Sequence, residues 1–300
     1  MSSPPTPFPT HWLRGRGEAL PAAMGLGVES IGDLIRLGTY RPHSRFPRAV
    51  NFSDGDSLIA VVDRSVGAGP VNIVTGDLAG WEFRDLEMGA DFIHAAGREM
   101  PLHDVPRYDS SLPIPENTDS TLFDGNLAVL RGHLIGTASE ESVAFLLATK
   151  PAGPTPPSFQ NALRSRFSEA ADLIRRGQPS QGAALIKGLG RGLTPQGDDF
   201  TAGLLYALQV RGRVFGESAD REIDRIHAAA RSDNPFSRAL LDCAAQGRPF
   251  QRLKDLIRSL FGADRGAIER QTRAMMSIGA TSGADIAAGL VLGLERQENQ

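Results

Sequence analysis

The stretch Lys187–Phe200, KGLGRGLTPQGDDF, concentrates the residues best suited to chemistry. Gly188, Gly190, Gly192 and Gly197 leave a backbone poor in side chains. Thr194-Pro195 sets a turn, because proline fixes φ and restrains the residue before it. Asp198 then has the position expected of a helix N-cap. A glycine-rich loop feeding a helix N-terminus presents N–H groups and the positive end of the helix dipole, which suits a small anion. Gly190, Gly192, Thr194 and Gly197 are the expected contacts, with Lys187 and Arg191 supplying charge. The pair Asp198 and Asp199 repels an unaccompanied phosphate. Two arrangements remove the conflict: one aspartate caps while the other faces a positive group, or a Mg²⁺ ion mediates. The Walker A pattern is absent, and no G-x-G-x-x-G follows a strand. A tight helix start in a packed bundle accounts for the same glycines without any ligand.

The motif has an internal echo. TPQGDDFTAGL at Thr194–Leu204 resembles TSGADIAAGL at Thr281–Leu290, one residue shorter. Each has a Thr, a Gly, an Asp at a helix start, and Ala-Gly-Leu one turn on. If the two turns face each other, two helix N-termini converge on one small anionic ligand. Thr194, Thr281 and Ser282 then supply hydroxyls, and Gly283 and Asp285 join the site. If they lie apart, they are two similar packing corners of one bundle.

Other candidates carry less. His11, His43, His94, His103, His133 and His227 show neither H-x-x-x-H nor H-E-x-x-H spacing, so no metal ligands are assigned. His227 shares helical spacing with Ile223 and Ala230 and reads as a partnered boundary histidine. Cys243, the single cysteine, sits in LLDCAAQG and reads as a buried thiol. No G-x-S-x-G elbow supports a serine hydrolase. In the segment NPFSR, Asn234–Arg238, Arg238 is either a carboxylate ligand or an ordinary surface arginine.

These residues need elements to hold them, and the chain changes character along its length. Leu58–Val62, Val71–Val74, Leu127–Leu130 and Ser142–Leu147 are short apolar runs between Gly, Asp, Ser and Pro, as in strands. LAVLRGHLIG reads as a hairpin turning at Arg131-Gly132, and an early helix is expected around Val28–Leu37. Downstream the period becomes helical. Leu163, Phe167, Ala170, Ala171 and Ile174 mark a helix beginning near Ser158. Phe200, Leu204, Leu205 and Leu208 mark a second, and Ile223, Ile226 and Ala230 a third. Leu253, Leu256, Ile257 and Leu260 mark a fourth. Ile286, Leu290 and Leu294 mark the last, with Gly289 and Gly293 on its apolar side inviting close approach by another helix. The expected fold is α+β: a mostly β part, barrel or sandwich, then a helical part. The divisions are a disordered tail over 1–20, a β-rich domain over 21–150, a proline-rich linker over 151–157, and a helical domain over 158–296 that carries GLTPQGDD.

Composition sets outer bounds. The 300 residues are 41% hydrophobic and 22% charged, which excludes wholesale disorder. No apolar run of membrane-spanning length occurs, and MSSPPTPFPT lacks the basic and apolar regions of a secretory signal. A cytoplasmic location is the expectation. Residues 1–150 have a net charge of −7 and residues 151–300 of +4, with no run of five or more like charges, so nucleic acid is not an expected partner. Only Lys150, Lys187 and Lys254 are lysines among 32 basic residues. That arginine excess suits planar anions, though a GC-rich coding bias is the simpler source of it.

GLGRGLTPQGDDFTAG resembles the hallmark of a bacterial family first catalogued as a domain of unknown function. One branch of that family supplies the third (H-type) subunit of oxamate carbamoyltransferase in anaerobic allantoin degradation. IGATSGADIAAGLVLGL is similar to its second hallmark, and RAVNF at Arg48–Phe52 and GAGP at Gly67–Pro70 to its N-terminal landmarks. The chain departs from the pattern at Arg191, Gln196 and Ala280. The resemblance implies carbamoyl transfer between carbamoyl phosphate and a small amide or amine, such as oxamate. It also implies partner subunits related to acyl-CoA synthetases. Such chemistry needs orientation and charge stabilisation and no resident cofactor. In that scheme the Gly190–Gly197 backbone holds phosphate or carboxylate, Thr194, Thr281 and Ser282 orient the substrate, and Asp198 or Asp199 accepts a proton. Two further readings stand beside it: a non-catalytic anion-binding or scaffold subunit, and a Mg²⁺-dependent phosphate-handling enzyme.

Overall fold

The computed structural model describes residues 27–148 and 159–295. The tail expected over 1–20 and the linker expected over 151–157 lie outside the described residues. The chain first forms strands β1 (Val28–Gly32), β2 (Gly38–Phe46), β3 (Ala49–Ser53), β4 (Leu58–Asp63), β5 (Asn72–Thr75), β6 (Leu86–Met88), β7 (Phe92–Ala95), β8 (Arg98–Pro101) and β9 (Arg107–Tyr108). Helices follow: α1 (Ser120–Thr137), α2 (Phe159–Arg175), α3 (Pro179–Ile186), α4 (Gln196–Phe215), α5 (Asp220–Ala230), α6 (Pro235–Ala245), α7 (Gln251–Ser259), α8 (Arg265–Met276) and α9 (Ser282–Leu294). The α+β class expected from the sequence is the class observed.

The barrel or sandwich takes the form of one nine-stranded sheet in the order β8-β7-β6-β2-β3-β4-β5-β1-β9, with β8 and β9 at its ends. Most pairs are antiparallel; β4–β5 and β1–β9 are parallel. Tyr40, Val50, Phe52, Ile59, Val61, Ile73, Trp81 and Leu86 form its buried face and are at most 0% exposed. Burying such aliphatic and aromatic side chains contributes about 1.5–3 kcal/mol each.

Three local expectations fail, each for a readable reason. The early helix over Val28–Leu37 is instead strand β1, paired antiparallel with β5 and followed by a turn. A Cβ at Gly32 would lie 2.1 Å from the Pro70 carbonyl oxygen, so the crossing by the GAGP turn fixes that glycine. The hairpin at Arg131-Gly132 is the interior of α1. Its buried Phe123, Leu127, Leu130 and Leu134 recur at helical spacing, and Asp119 caps it by accepting from the Thr121 and Leu122 amides at 2.9 and 3.1 Å. The strand at Ser142–Leu147 is a 3-10 turn, Val143–Leu147, capped by Ser142. Both segments bury their apolar side chains in the helical core rather than against the sheet.

The sheet abuts α6 and α7. Tyr108 Oη donates to the Pro249 carbonyl at 3.0 Å, and the Gln251 amide donates to the Ala68 carbonyl at 2.9 Å. Asp33 accepts from the Ser110 hydroxyl at 2.7 Å and pairs with Arg248 at 3.4 Å. Within the helical part, α4 and α9 form the buried centre. Every residue of α9 from Gly283 to Leu294 is buried, as are Gln196–Ala207 of α4.

Candidate functional site

The two similar turns face each other. Helices α4 and α9 cross where Gly203 meets Gly289. A Cβ at Gly203 would lie 1.9 Å from the Ile286 carbonyl oxygen, and one at Gly289 would lie 2.0 Å from that of Phe200. The relation is reciprocal, because Phe200 and Ile286 hold the same helical position, as do Gly203 and Gly289. It extends to the helix starts. Gly197 and Gly283 are each the second residue of their helix, and a Cβ on either would lie 1.8 Å from a carbonyl oxygen of the preceding helix region, Ile186 or Met275. The sequence echo is therefore a pseudo-two-fold pair of helix–loop–helix units.

Asp199 and Asp285 are the fourth residues of α4 and α9, so the pseudo-two-fold brings them together. The first residue of each helix reaches across. Ser282 stands close enough to Asp199 to lower its carboxyl, and Gln196 does the same to Asp285. Each aspartate also meets the threonine before its own helix: Thr194 Oγ1 donates to Asp199 Oδ1 at 2.7 Å, and Thr281 stands close enough to Asp285 to lower its carboxyl. Asp285 Oδ1 further accepts from the Val143 amide at 2.7 Å, which ties in the 3-10 turn. Gln196 Nε2 donates to the Glu141 carbonyl at 2.7 Å.

Asp198 does not cap. Pro195 occupies the N-cap of α4 without a side-chain cap bond, because Thr194-Pro195 sets the chain one turn earlier than expected. Asp198 Oδ1 instead accepts from the Gly188 amide at 2.8 Å, clasping the start of the glycine loop. Gly188, Gly190 and Gly192 adopt φ of +66°, +104° and +122°, a region that side chains disfavour. Asn234 Nδ2 holds the loop's far side through the Leu193 carbonyl at 2.8 Å. Lys187, Arg191 and Gly192 are exposed, and Gly190 packs beside Gln196.

Two of the amides expected to hold an outside anion, those of Gly197 and Gly283, are engaged within the chain, as is that of Gly188. Gly188 N–H serves Asp198, Gly197 N–H donates to Leu189, and Gly283 N–H donates to Ile278. The protein's own carboxylates occupy the positive helix ends. Asp198, Asp199 and Asp285 are 0%, 1% and 0% exposed, and each leaves its Oδ2 buried without a partner. Burial pushes the Asp199 carboxyl up to about 8, against the pull of Thr194 and Ser282 and with a further push from the Asp285 and Asp198 charges. Burial raises Asp285 to about 6, opposed by the Val143 amide, Thr281 and Gln196. A carboxyl that titrates near neutrality, beside a second one with a lower value, is a proton donor or acceptor suited to neutral pH.

Sequence reasoning missed Gln196 and Val143. Gln196 was readable in principle, since its register equivalent is Ser282. The Val143 amide carried no signal, because a backbone donor leaves no mark on residue type. Among the described residues, no group of three or more His, Cys, Asp and Glu side chains is arranged to hold a metal ion. None of their helices is long and apolar enough to cross a membrane. His227 is partnered as expected, with Nε2 2.7 Å from Asp242 Oδ1, and Cys243 is buried.

Comparison with curated proteins and with solved structures finds no match. A family model does match, over residues 186–294, which span both helix starts and all three aspartates. Over that segment, about a third of the chain, the sequence is similar to the family described as oxamate carbamoyltransferase subunit AllH.

Proposed function

We propose that the chain is a working subunit of an oxamate carbamoyltransferase-type enzyme, and that the Asp199–Asp285 pair lies at its reaction centre. The observation that supports this most is the unpartnered Oδ2 on Asp199, a buried carboxyl raised to about 8 inside the matched segment. Natural cores rarely keep such a group, and its retention fits a proton-transfer role better than a packing one.

In the proposed reaction the amide or amine nitrogen of a small acceptor, such as oxamate, attacks the carbonyl carbon of carbamoyl phosphate. A C–N bond forms, the C–O bond to phosphate breaks, and phosphate leaves. The nitrogen's proton passes to Asp199, with Asp198 holding the loop and Asp285 placed to take part. Thr194, Thr281 and Ser282 orient the acceptor. Because the aspartates are sealed, the Gly188–Thr194 loop lifts to admit substrate. Lifting releases Gly188 N–H from Asp198, Thr194 from Asp199 and Gly197 N–H from Leu189, and turns the backbone of Gly190, Gly192 and Gly197 toward the phosphate or carboxylate. The partners in this reading are the acyl-CoA-synthetase-like subunits that the family resemblance implies.

Complete burial of the three carboxylates, each with an oxygen bound inside the protein, favours a second reading. In it the cluster is a structural clasp and the active centre lies on a partner. The test is carbamoyl transfer by the complete complex carrying Asp199→Asn. The first reading expects turnover to fall about 10²–10⁴-fold with the complex still assembled. Full turnover, or loss only through failed assembly, refutes it. Turnover abolished by a chelator supports the Mg²⁺-dependent reading instead.

A further inference from the structure

The helices α5 and α6 enclose a cleft of about 480 Å³ that the aspartate cluster does not use. Its wall carries His227, Arg231, Ser232, Arg238, Leu241 and Asp242. The charges on that wall do not balance. His227 and Asp242 compensate each other through their 2.7 Å contact. Arg231 makes no hydrogen bond or ion pair among the described residues, and it is exposed beside the cleft. Arg238 is half-buried and under-used. Its Nη1 and Nη2 make long contacts to the Gly55 and Asp233 carbonyls, at 3.3 and 3.5 Å, and the exposed Asp56 carboxylate stands 3.8 Å away. Its Nε is buried with no acceptor. A buried guanidinium donor left without an acceptor is costly, and planar oxyanions satisfy it in a fork geometry.

We propose that this cleft is a binding site for a small oxyanion, a carboxylate or a phosphate, held by Arg231 and Arg238. On binding, the Arg238 guanidinium turns toward the cleft so that the oxyanion supplies the acceptor Nε lacks, and Arg231 closes on the ligand from the rim. Ser232 supplies a hydroxyl at the cleft edge. The size suits a molecule of a few to a dozen non-hydrogen atoms rather than a nucleotide chain. The site stands independently of the carbamoyl-transfer reading, since none of its residues hydrogen-bonds or pairs with Asp198, Asp199 or Asp285.

The test is isothermal titration of the full chain with oxalate and, separately, with inorganic phosphate, at ionic strength matched with chloride. The proposal expects saturable binding of at least one of them. Which one binds distinguishes a carboxylate ligand from a phosphoryl one. Arg231→Gln, which changes only an exposed side chain, and Arg238→Gln should each weaken binding about tenfold or more. Asp199→Asn should leave it unchanged. No binding of either probe overturns the proposal. So does binding that survives Arg231→Gln at full strength, or binding that is lost in Asp199→Asn.

Discussion

Replacing Asp199 with asparagine separates a strained functional carboxyl from a structural one, and the effect can be worked from its surroundings. In the folded chain burial raises this carboxyl from 3.8 to about 8. Between those values the folded state keeps a proton that the unfolded chain releases. The unfolded state then binds fewer protons, so stability falls as pH rises through the window, by about 1.4 kcal/mol per pH unit. Over the whole window the loss has a ceiling of about 6 kcal/mol, which relaxation and water entry reduce to several. Above about pH 8 the loss is complete and the curve flattens. Asparagine keeps an oxygen for the Thr194 hydroxyl and has no proton to lose. Its amide N–H takes the place of the unpartnered Oδ2, an orphan donor that costs about 1–3 kcal/mol at every pH. The stability difference between variant and natural chain therefore moves in favour of asparagine from pH 5 to pH 8, by several kcal/mol. Asp285, raised to about 6, adds its own slope to both proteins at the acid end and cancels in the difference. Urea unfolding followed by circular dichroism at stepped pH measures the effect, provided the m-values agree. A difference that does not change with pH, or that moves against asparagine as pH rises, refutes the reasoning. Asp199 would then be held ionised, as a clasp.

Three shorter predictions test the frame around it. Gly203→Ala places a methyl 1.9 Å from the Ile286 carbonyl oxygen and should destabilise by about 2–4 kcal/mol despite alanine's better helix propensity. Gly125→Ala, in α1 with open space around it, should stabilise by about 0.5–1 kcal/mol, and paired denaturant melts compare the two. Cys243, whose thiol burial pushes up to about 12, should resist iodoacetamide in the folded chain and react promptly in urea, as mass spectrometry reads directly. His227 titrates above its ordinary value, chiefly through its hydrogen bond to Asp242. The pair's contribution is thus complete below the unfolded histidine value and disappears as pH rises through the folded one. Asp242→Asn should lower the His227 midpoint in an NMR titration and remove that pH dependence.

The helices of the second half were legible because their apolar residues recur at helical spacing and the sequence between them is polar. Helix α1 was not, although Phe123, Leu127, Leu130 and Leu134 keep that spacing. Glycines and the tight run LAVL mimic strand punctuation, and the exposed side of α1 carries Ala128, Gly132, Ile135 and Gly136 where charged residues would have marked a helix. β1 failed in the opposite way. It is a short edge-side strand of five residues whose pairing depends on β5 and β9, both distant in sequence. The site followed from the echo between the two Asp-Ala-Gly-Leu-like segments. Such an echo survives only where both copies must make the same glycine crossing. The direction of the polar groups was not legible. Residue types suggested a cradle of amides around an absent anion, whereas in the folded chain Asp198 takes the Gly188 amide and backbone carbonyls take those of Gly197 and Gly283.

Asp198 shows where the duplication stops and a loop function begins. In the two-fold register its counterpart is Ala284, a residue that α9 buries without any polar bond of its own side chain. The crossing of α4 and α9 therefore does not require a carboxylate at this position. What Asp198 adds is the bond to Gly188 N–H at 2.8 Å, at the root of the only one of the two loops that is glycine-rich. A charge-assisted bond of this kind contributes about 1.5–3 kcal/mol, offset in part by burying the unpartnered Oδ2. Asp198→Ala, which restores the symmetric residue, should thus leave global stability within about 1 kcal/mol of the natural chain. It should still raise hydrogen exchange at the Gly188 amide by about tenfold or more, while the Leu204 and Leu290 amides at the crossing stay protected. Unchanged protection at Gly188 would show that the loop is held by Asn234 and the glycine geometry alone. Lost protection at Leu290 would show that Asp198 supports the crossing itself. Either result removes the basis for treating the Gly188–Thr194 loop as the movable cover of Asp199.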